Sequence, residues 1–336
     1  MAGQMTGQLL LDRLEKQYRR ELASGAVKKL RPLLVDKNLR TNVAGLPALV
    51  MCSNDYQGLA ANEEVVAAAT TALRQFGVGT ASARFVCGTT HAHALLEESL
   101  VRYLGVEAAI TFSSAWAANV GLYSALTEPG DVIFSDRLNH ASIIDGCRMT
   151  ARGVVREVYP HKDLNRLRDL LHNHSSRSGK IIVTDGVFSM EGDLAPLQEL
   201  VGLAREYDAL LIVDDSHGLG VIGRTGRGTA EYFDALNEVG VYVGTLGKTL
   251  GGGAGGFVAG PRAVVGAVTK RARPYIFSNP IPPAVAAAAS KALEIIDREP
   301  GRISELAAKT AAFRSALREA GLRVDRYHAN RTIAGR

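Results

Sequence analysis

Residues 209–248, ALLIVDDSHGLGVIGRTGRGTAEYFDALNEVGVYVGTLGK, decide the fold. Two short apolar runs, ALLIV and VYVG, each end in residues that carry chemistry. An apolar run without alternation reads as a strand covered on both faces, as in a parallel sheet. Between the two runs, residues near 229–237 have helical spacing, so the stretch reads strand, helix, strand. The pattern extends outward. AAITFSS (108–114), VIFSD (132–136), VVREVYP (154–160) and KIIVTD (180–185) read as strands. Helices are expected near 116–127, 141–152, 163–172 and 196–207. GGFVAG (255–260) is a further strand. The class is therefore α/β, a mostly parallel sheet flanked by helices.

The rest of the chain reads around this sheet. Residues 8–24 form an amphipathic helix, and ALVMCSND (48–55) reads as a short strand ending in a turn. Helices follow near 61–76 and 93–105, separated by a small-residue loop, FGVGTASARFVCGTT (76–90). Further helices lie near 262–272, 283–298 and 302–320, and LRVDRY (322–327) reads as the first strand of a second domain. The expected organisation is an N-terminal helical segment over 1–50, a large domain over 51–280, and the start of a small C-terminal domain over 281–336.

Composition excludes several classes. With 46% apolar and 22% charged residues of mixed sign, the chain has ample core and is not disordered. The net charge of +5 is mild, and no basic block is long enough for a nucleic-acid tail. Arg19, Arg20, Lys28, Lys29 and Arg31 form the densest basic stretch. It reads as a solvated face or as an anchor for the phosphates of an anionic substrate. Cys52, Cys87 and Cys147 are odd in number and widely spaced, so neither zinc nor a disulfide framework is expected. Reduced thiols, an N-terminus unlike a signal peptide and no membrane-length apolar run point to the cytoplasm.

Three short motifs lead nowhere. GLGVIG (218–223) has the glycine spacing of a dinucleotide site, but RTGRG follows where a helix should open. GKT (247–249) lacks the glycine five positions earlier that a phosphate-binding P-loop needs; Tyr242 stands there. HNH (172–174) places two histidines at i, i+2 of a helix end, where they do not face each other and read as solvated.

The strand ends carry the chemistry. Asp185, Asp214, His217 and Lys248 all lie at carboxyl ends of expected strands, where parallel sheets build their sites. Any one alone has an ordinary reading: a helix cap for the aspartates, a surface residue for the lysine. Together they meet the needs of pyridoxal phosphate (PLP). That cofactor requires an amine to form an imine, a carboxylate to keep the pyridine nitrogen protonated, and N–H groups or hydroxyls for the phosphate. Lys248 sits between Gly247 and GGGAGG (251–256), and a desolvated amine there becomes a usable nucleophile and base.

Five segments, VDDSHGLGVIGRTGRG (213–228), GTLGKTLGGGAGG (244–256), NHASIIDG (139–146), TDGVFSMEGDLAPL (184–197) and RPYIFSN (273–279), resemble the α-oxoamine synthases. These are fold-type-I PLP transferases that join an amino acid to an acyl-CoA. The resemblance runs from about Asn54 to about Gly321. SARFVCGT (82–89) and NHASIIDG look most like the glycine C-acetyltransferase branch, also called 2-amino-3-ketobutyrate CoA ligase; the 8-amino-7-oxononanoate synthases are the near neighbour. The resemblance implies Lys248 as the Schiff-base lysine, Asp214 on the pyridine nitrogen, His217 and Ser189 on the phenolate oxygen, and His140 stacked on the ring. It implies the N–H groups of Ala115 and Trp116 and the hydroxyl of Thr245 on the phosphate. Ser278 would reach it from a second subunit of a homodimer, and Asn54 would contact the amino acid. The implied reaction condenses glycine with acetyl-CoA to 2-amino-3-oxobutanoate, or runs in reverse. A decarboxylating condensation of the oxononanoate synthase type is the alternative, as is PLP binding without turnover. An aminotransferase or desulfurase would share the strand-end Asp and Lys but not NHASIIDG with FSMEGD. Asp55 and Gln57, in NDYQGLA (54–60), stand where the family has Asn and Leu, and are expected to adjust substrate preference. The resemblance implies a further C-terminal stretch carrying an arginine for the substrate carboxylate; Arg331 and Arg336 lie in no matching pattern.

Overall fold

The computed structural model describes residues 7–28, 30–36, 38–177, 179–322 and 324. The chain divides into two compact units, residues 1–52 and 53–336. In the first, α1 (Gln8–Ser24) ends at Gly25, whose left-handed backbone closes the helix onto Glu21 and Leu22 carbonyls. Arg19 is paired with Glu15 one turn earlier. β1 (Arg40–Val43) and β2 (Leu46–Leu49) form an antiparallel hairpin. The hairpin differs from the expected single strand over 48–55. Its turn is Ala44–Gly45, both at positive φ, a hairpin geometry that a two-residue loop favours and that the polar stretch before it concealed.

The second unit opens with α2 (Glu63–Phe76), capped by the Asn62 side chain, and α3 (His91–Leu104). The alternation then follows as β3 (Ala108–Phe112), α4 (Ala115–Leu126), β4 (Val132–Asp136), α5 (Ala141–Arg148) and β5 (Val155–Tyr159). It continues as α6 (Leu164–Asn173), β6 (Lys180–Asp185), α7 (Leu197–Glu206), β7 (Leu210–Asp214), α8 (Thr229–Tyr232), β8 (Val241–Thr245) and β9 (Gly256–Gly260). α9 (Arg262–Arg271), α10 (Arg273–Ile276), α11 (Pro283–Arg298) and α12 (Gly301–Glu319) complete it. Two helices are shorter than their spacing suggests. α5 stops at Arg148 because the Thr150 hydroxyl ties off the Cys147 carbonyl. α8 stops at Tyr232 because Asp234 turns to positive φ and Ala235 N–H folds back to the Ala230 carbonyl.

Seven strands form one sheet in the order β3-β9-β8-β7-β6-β4-β5. Only β9 runs antiparallel to its neighbours, so the remaining six point their carboxyl ends the same way. From β4 the chain goes outward to edge strand β5, then returns to β6 on the other side and proceeds inward. Successive residues of the central strands face opposite layers. Leu211, Val213 and Ile182 lie in one buried cluster, Ile212, Ile181 and Val183 in the other. Both layers are apolar, which is why these strands read as unbroken hydrophobic runs. β5, at the edge, alternates exposed and half-buried residues and carries Arg156 and Glu157.

α11, placed by the sequence reading at the start of a smaller domain, packs on α2 and α3. Its buried face includes Ala286, Ala289 and Ala292, whose small side chains permit close approach. Apart from residues 322 and 324, LRVDRY lies outside the described residues, as do Arg331 and Arg336. Cys52, Cys87 and Cys147 are free thiols. Among the described residues no helix is long and apolar enough to cross a membrane, and no cluster of acids, histidines and cysteines is placed to hold a metal. The HNH histidines differ from expectation in one respect. His172 is exposed, but His174 is half-buried, with Nε2 2.9 Å from Glu157 Oε1 and its ring edge-on to Phe134. Edge strand β5 supplies that carboxylate, a contact invisible to helical spacing.

Candidate active site

The carboxyl ends of β4, β6, β7 and β8 converge on one crevice. β6 and β7 are in register at Asp185 and Asp214, and Asp214 is level with Val243 of β8. Asp214 is the residue after Val213, so it points to the layer where α4 packs. There Asn119 Nδ2 donates to Asp214 Oδ2 at 2.7 Å, while Ser216 N–H donates to Oδ1 at 3.1 Å. Asp214 is 4% exposed, a buried carboxylate held by two donors. Asn119 was not singled out from the sequence. The available signal was a fully buried amide in an otherwise nearly apolar helix, AWAANVGLYSAL, since a buried amide must find a partner.

Lys248 lies three residues beyond the end of β8, in a turn closed by Gly252 N–H on its carbonyl at 2.9 Å. Burial pulls its amine below the usual lysine range, against the charges of Asp214 and Asp185, which favour the cation. Its Nζ is 2.7 Å from His217 Nε2. His217 is held down to about 4 by burial first and by the Lys248 charge second, so its ring is neutral near pH 7. The other ring nitrogen, Nδ1, is 2.9 Å from the Tyr56 hydroxyl, which lies 3.2 Å from Asn54 Oδ1. The structure thus brings together Asn54, His217 and Lys248, and adds Tyr56, which stood unremarked inside the NDYQGLA segment.

On the opposite wall His140 caps α5, its ring exposed and 6.5 Å from the Trp116 ring. Its N–H donates to Asp185 Oδ2 at 2.6 Å. Asp185 is held well above the usual carboxylate range by burial and by the neighbouring Asp214 charge. Ala115 and Trp116 open α4, where no earlier carbonyl of the helix can take their N–H groups. Ser114 Oγ accepts from Ala117 N–H instead. Gly256 comes so close that a side-chain carbon there would collide with Ala115 N and Cα. Thr245 Oγ1 donates to the Gly255 carbonyl at 3.2 Å and accepts from Gly247 N–H at 3.1 Å, bracing the Lys248 turn. Ser189 lies half-buried in the turn after β6, and Ser278 lies in the segment after α10, its hydroxyl 3.4 Å from the Asn279 carbonyl.

Residues 47–330 match the family described as aminotransferase class I and II. The chain belongs to that family. Within it the chain is of the α-oxoamine synthase type. It is 48% identical over 309 residues to 8-amino-7-oxononanoate synthase of Geobacter sulfurreducens, covering 91% of this chain and 78% of the relative. It is 41% identical over 313 residues to the mitochondrial 2-amino-3-ketobutyrate coenzyme A ligase of Bos taurus, covering 93% and 74%. A lysine-to-alanine variant of serine palmitoyltransferase from S. paucimobilis, solved with PLP and myriocin bound, superposes with a TM-score of 0.86 at 31% identity, covering 95% of this chain and 82% of that one. The fold is that of the fold-type-I PLP transferases, the cofactor of this family member is PLP, and the enzyme is an acyltransferase of the α-oxoamine synthase type.

The donor set fits that cofactor. A desolvated amine, a buried carboxylate, a neutral imidazole and a pair of helix-opening N–H groups beside a glycine-cleared wall are what its aldehyde, ring nitrogen, phenolate and phosphate each require. Asp215, the second acid of DDSH, has a different place. It is fully buried, with Oδ2 accepting from Thr229 N–H at 2.6 Å, and a side-chain carbon at Gly228 would collide with that oxygen. Burial pushes Asp215 up to about 7. An unfolded aspartate ionises near pH 4, so between about pH 4 and about pH 7 the folded state holds a proton that the unfolded state has lost. Stability from this group therefore falls as pH rises through that window, by at most about 1.4 kcal/mol per unit. Asp215→Asn is expected to gain in thermal midpoint relative to the parent from pH 4 to pH 7 and to hold that gain above. A difference independent of pH would refute the assignment.

Proposed function

We propose that this enzyme condenses an α-amino acid with an acyl thioester, releasing the thiol and carbon dioxide, as an 8-amino-7-oxononanoate synthase does. The observation that carries the reading is the 48% identity over 91% of the chain to such an enzyme, against 41% and 44% to ketobutyrate ligases. The product's skeleton defines the substrates. A nine-carbon acid with its ketone at carbon 7 and its amine at carbon 8 divides into a seven-carbon ω-carboxyacyl group and alanine less its carboxylate. The first expectation, glycine with acetyl-CoA and the carboxylate kept, is the second reading, supported by the bovine relative.

In this proposal Lys248 binds PLP covalently, then takes the Cα proton of the bound amino acid. When bound, the cofactor supplies a sink for the electron pair that the proton leaves behind. Asp214 keeps the ring nitrogen protonated, and the Asn119 and Ser216 bonds keep its charge oriented. His217 and Ser189 hold the phenolate oxygen, and His140 covers one ring face. Ala115 and Trp116 N–H groups hold the phosphate. Thr245, on giving up the Gly255 carbonyl, and Ser278 from a second copy in a homodimer add hydroxyls. Asn54 orients the amino acid.

The test is direct. Purified chain with PLP is given L-alanine and the seven-carbon dicarboxylic mono-CoA thioester, or glycine and acetyl-CoA, and free thiol and carbon dioxide are both measured. Thiol and carbon dioxide in equal amounts from the first pair support the proposal. Thiol from the second pair and not from the first supports the ligase reading. No thiol from either sinks both.

A further inference from the structure

A chain of short polar contacts runs from the Lys248 amine through both nitrogens of His217 to Tyr56 and Asn54: 2.7, 2.9 and 3.2 Å. The imidazole is neutral above about pH 4, so it carries one proton, and its two nitrogens must play opposite parts. When Lys248 is an ammonium ion it can only donate. Nε2 then accepts, the ring proton sits on Nδ1 and is donated to the Tyr56 oxygen, and the Tyr56 proton goes to Asn54 Oδ1. When Lys248 has lost its charge, the reverse arrangement is satisfied: Tyr56 O–H turns to donate to Nδ1, and Nε2–H faces the amine. Going from the first state to the second, Lys248 passes a proton to Nε2 and the Nδ1 proton goes to water. Tyr56 keeps its own proton throughout and only rotates.

We propose that Tyr56 is a positioning residue that partners whichever tautomer of His217 the Lys248 charge selects and couples it to Asn54. Its O–H donates either to Asn54 Oδ1 or to His217 Nδ1. The residue that presents N–H toward the crevice is thereby linked to the residue beside the amino-acid substrate. This inference rests on the reading of the crevice as the PLP and amino-acid site. A hydroxyl is required because it both donates and accepts; phenylalanine does neither. Burial pushes Tyr56 up to about 12, so it does not ionise across the working range. The loop is anchored for the purpose. Asp55 accepts from Leu59 and Ala60 N–H groups at 2.9 and 3.0 Å, and Gln57 Nε2 donates to the Gly220 carbonyl at 2.8 Å. The two residues that depart from the family pattern thus hold backbone on either side of Tyr56. Gly220 belongs to the turn that follows His217.

The charges facing the chain are known. Lys248 and His140 disfavour a positive His217 and Asp214 favours it; Asp214 and Asp185 favour a positive Lys248. Tautomer exchange should therefore follow the loss of the Lys248 charge as pH rises from about 5 to about 10. The experiment is the ring ¹⁵N spectrum of histidine-labelled full chain over that range, before PLP is added. Parent and Tyr56→Phe are compared, and His217→Gln identifies the resonance. The expected parent result is a proton on Nδ1 at the acid end and on Nε2 at the alkaline end. In Tyr56→Phe the Lys248 ammonium still leaves the proton on Nδ1 at the acid end, but with no hydroxyl to donate to Nδ1 both nitrogens should be partly protonated at the alkaline end. The same ordered crossover in Tyr56→Phe, or one tautomer at every pH in the parent, overturns the proposal. With PLP added, the pH midpoint of the cofactor absorbance in Tyr56→Phe should move by at least about half a unit. KM for the amino acid should rise about fivefold or more. An unmoved midpoint with unchanged KM also overturns it. Absence of any cofactor band in the parent would instead sink the PLP-site reading, while the ¹⁵N result would still decide the role of Tyr56.

Discussion

Lys248→Ala is expected to abolish the covalent lysine–PLP absorbance band and to lower turnover by at least about 10⁴-fold. The size follows from two losses at one atom: the bond that anchors the cofactor and the base that takes the Cα proton. The fold should survive. Lys248 lies in a turn beyond β8, and that turn is closed by its backbone carbonyl and braced by Thr245, neither of which the substitution removes. One further change is predicted at His217. The lysine charge helps to hold its pKa near 4, so in Lys248→Ala that value moves up. Absorbance with PLP, steady-state turnover and the thermal midpoint decide the matter together. A retained band, or turnover within tenfold of the parent in a folded variant, would remove Lys248 from the reaction.

Asp214→Asn is expected to weaken PLP binding about 10- to 100-fold and to cut turnover by about 10²- to 10⁴-fold. The side chains have nearly the same shape, but their hydrogen-bonding capacities differ. Both Asp214 oxygens accept, one from Asn119 Nδ2 and one from Ser216 N–H. An amide has one accepting end, so its NH₂ group must face one of these donors, and a buried donor–donor contact results. The lost negative charge also no longer holds the ring nitrogen protonated. Lys248, deprived of the charge that favours its cation, falls further below the usual lysine range. The measurements are PLP affinity by absorbance titration and the pH dependence of turnover. Unaltered turnover would show that another group serves the ring nitrogen.

Much of this was legible in the sequence, and for identifiable reasons. The central strands are apolar on both faces, and a strand covered on both sides has no polar positions to confuse its reading. Asp185, Asp214, His217 and Lys248 could be placed near strand ends because in a parallel sheet polar residues gather where apolar runs stop. The elements misread were those governed by backbone geometry: the Ala44–Gly45 hairpin turn, the short α8, the tied-off end of α5. The misplaced partners were those supplied by residues distant in the chain, as Glu157 is to His174.

By itself the sequence determined the α/β class, the strand ends that bear the acids and the lysine, and the family through segments whose order is local. Each depends on residue type and short spacing, which one-dimensional information contains. The tertiary structure alone decided that Asn119, 95 residues before Asp214, orients its charge, and that Tyr56, 161 residues before His217, joins that histidine to Asn54. It also decided that the Thr245 hydroxyl braces its own turn. These are hydrogen bonds whose geometry exists only once strands and helices have packed. A buried donor takes the acceptor that packing brings within reach, whatever its place in the chain.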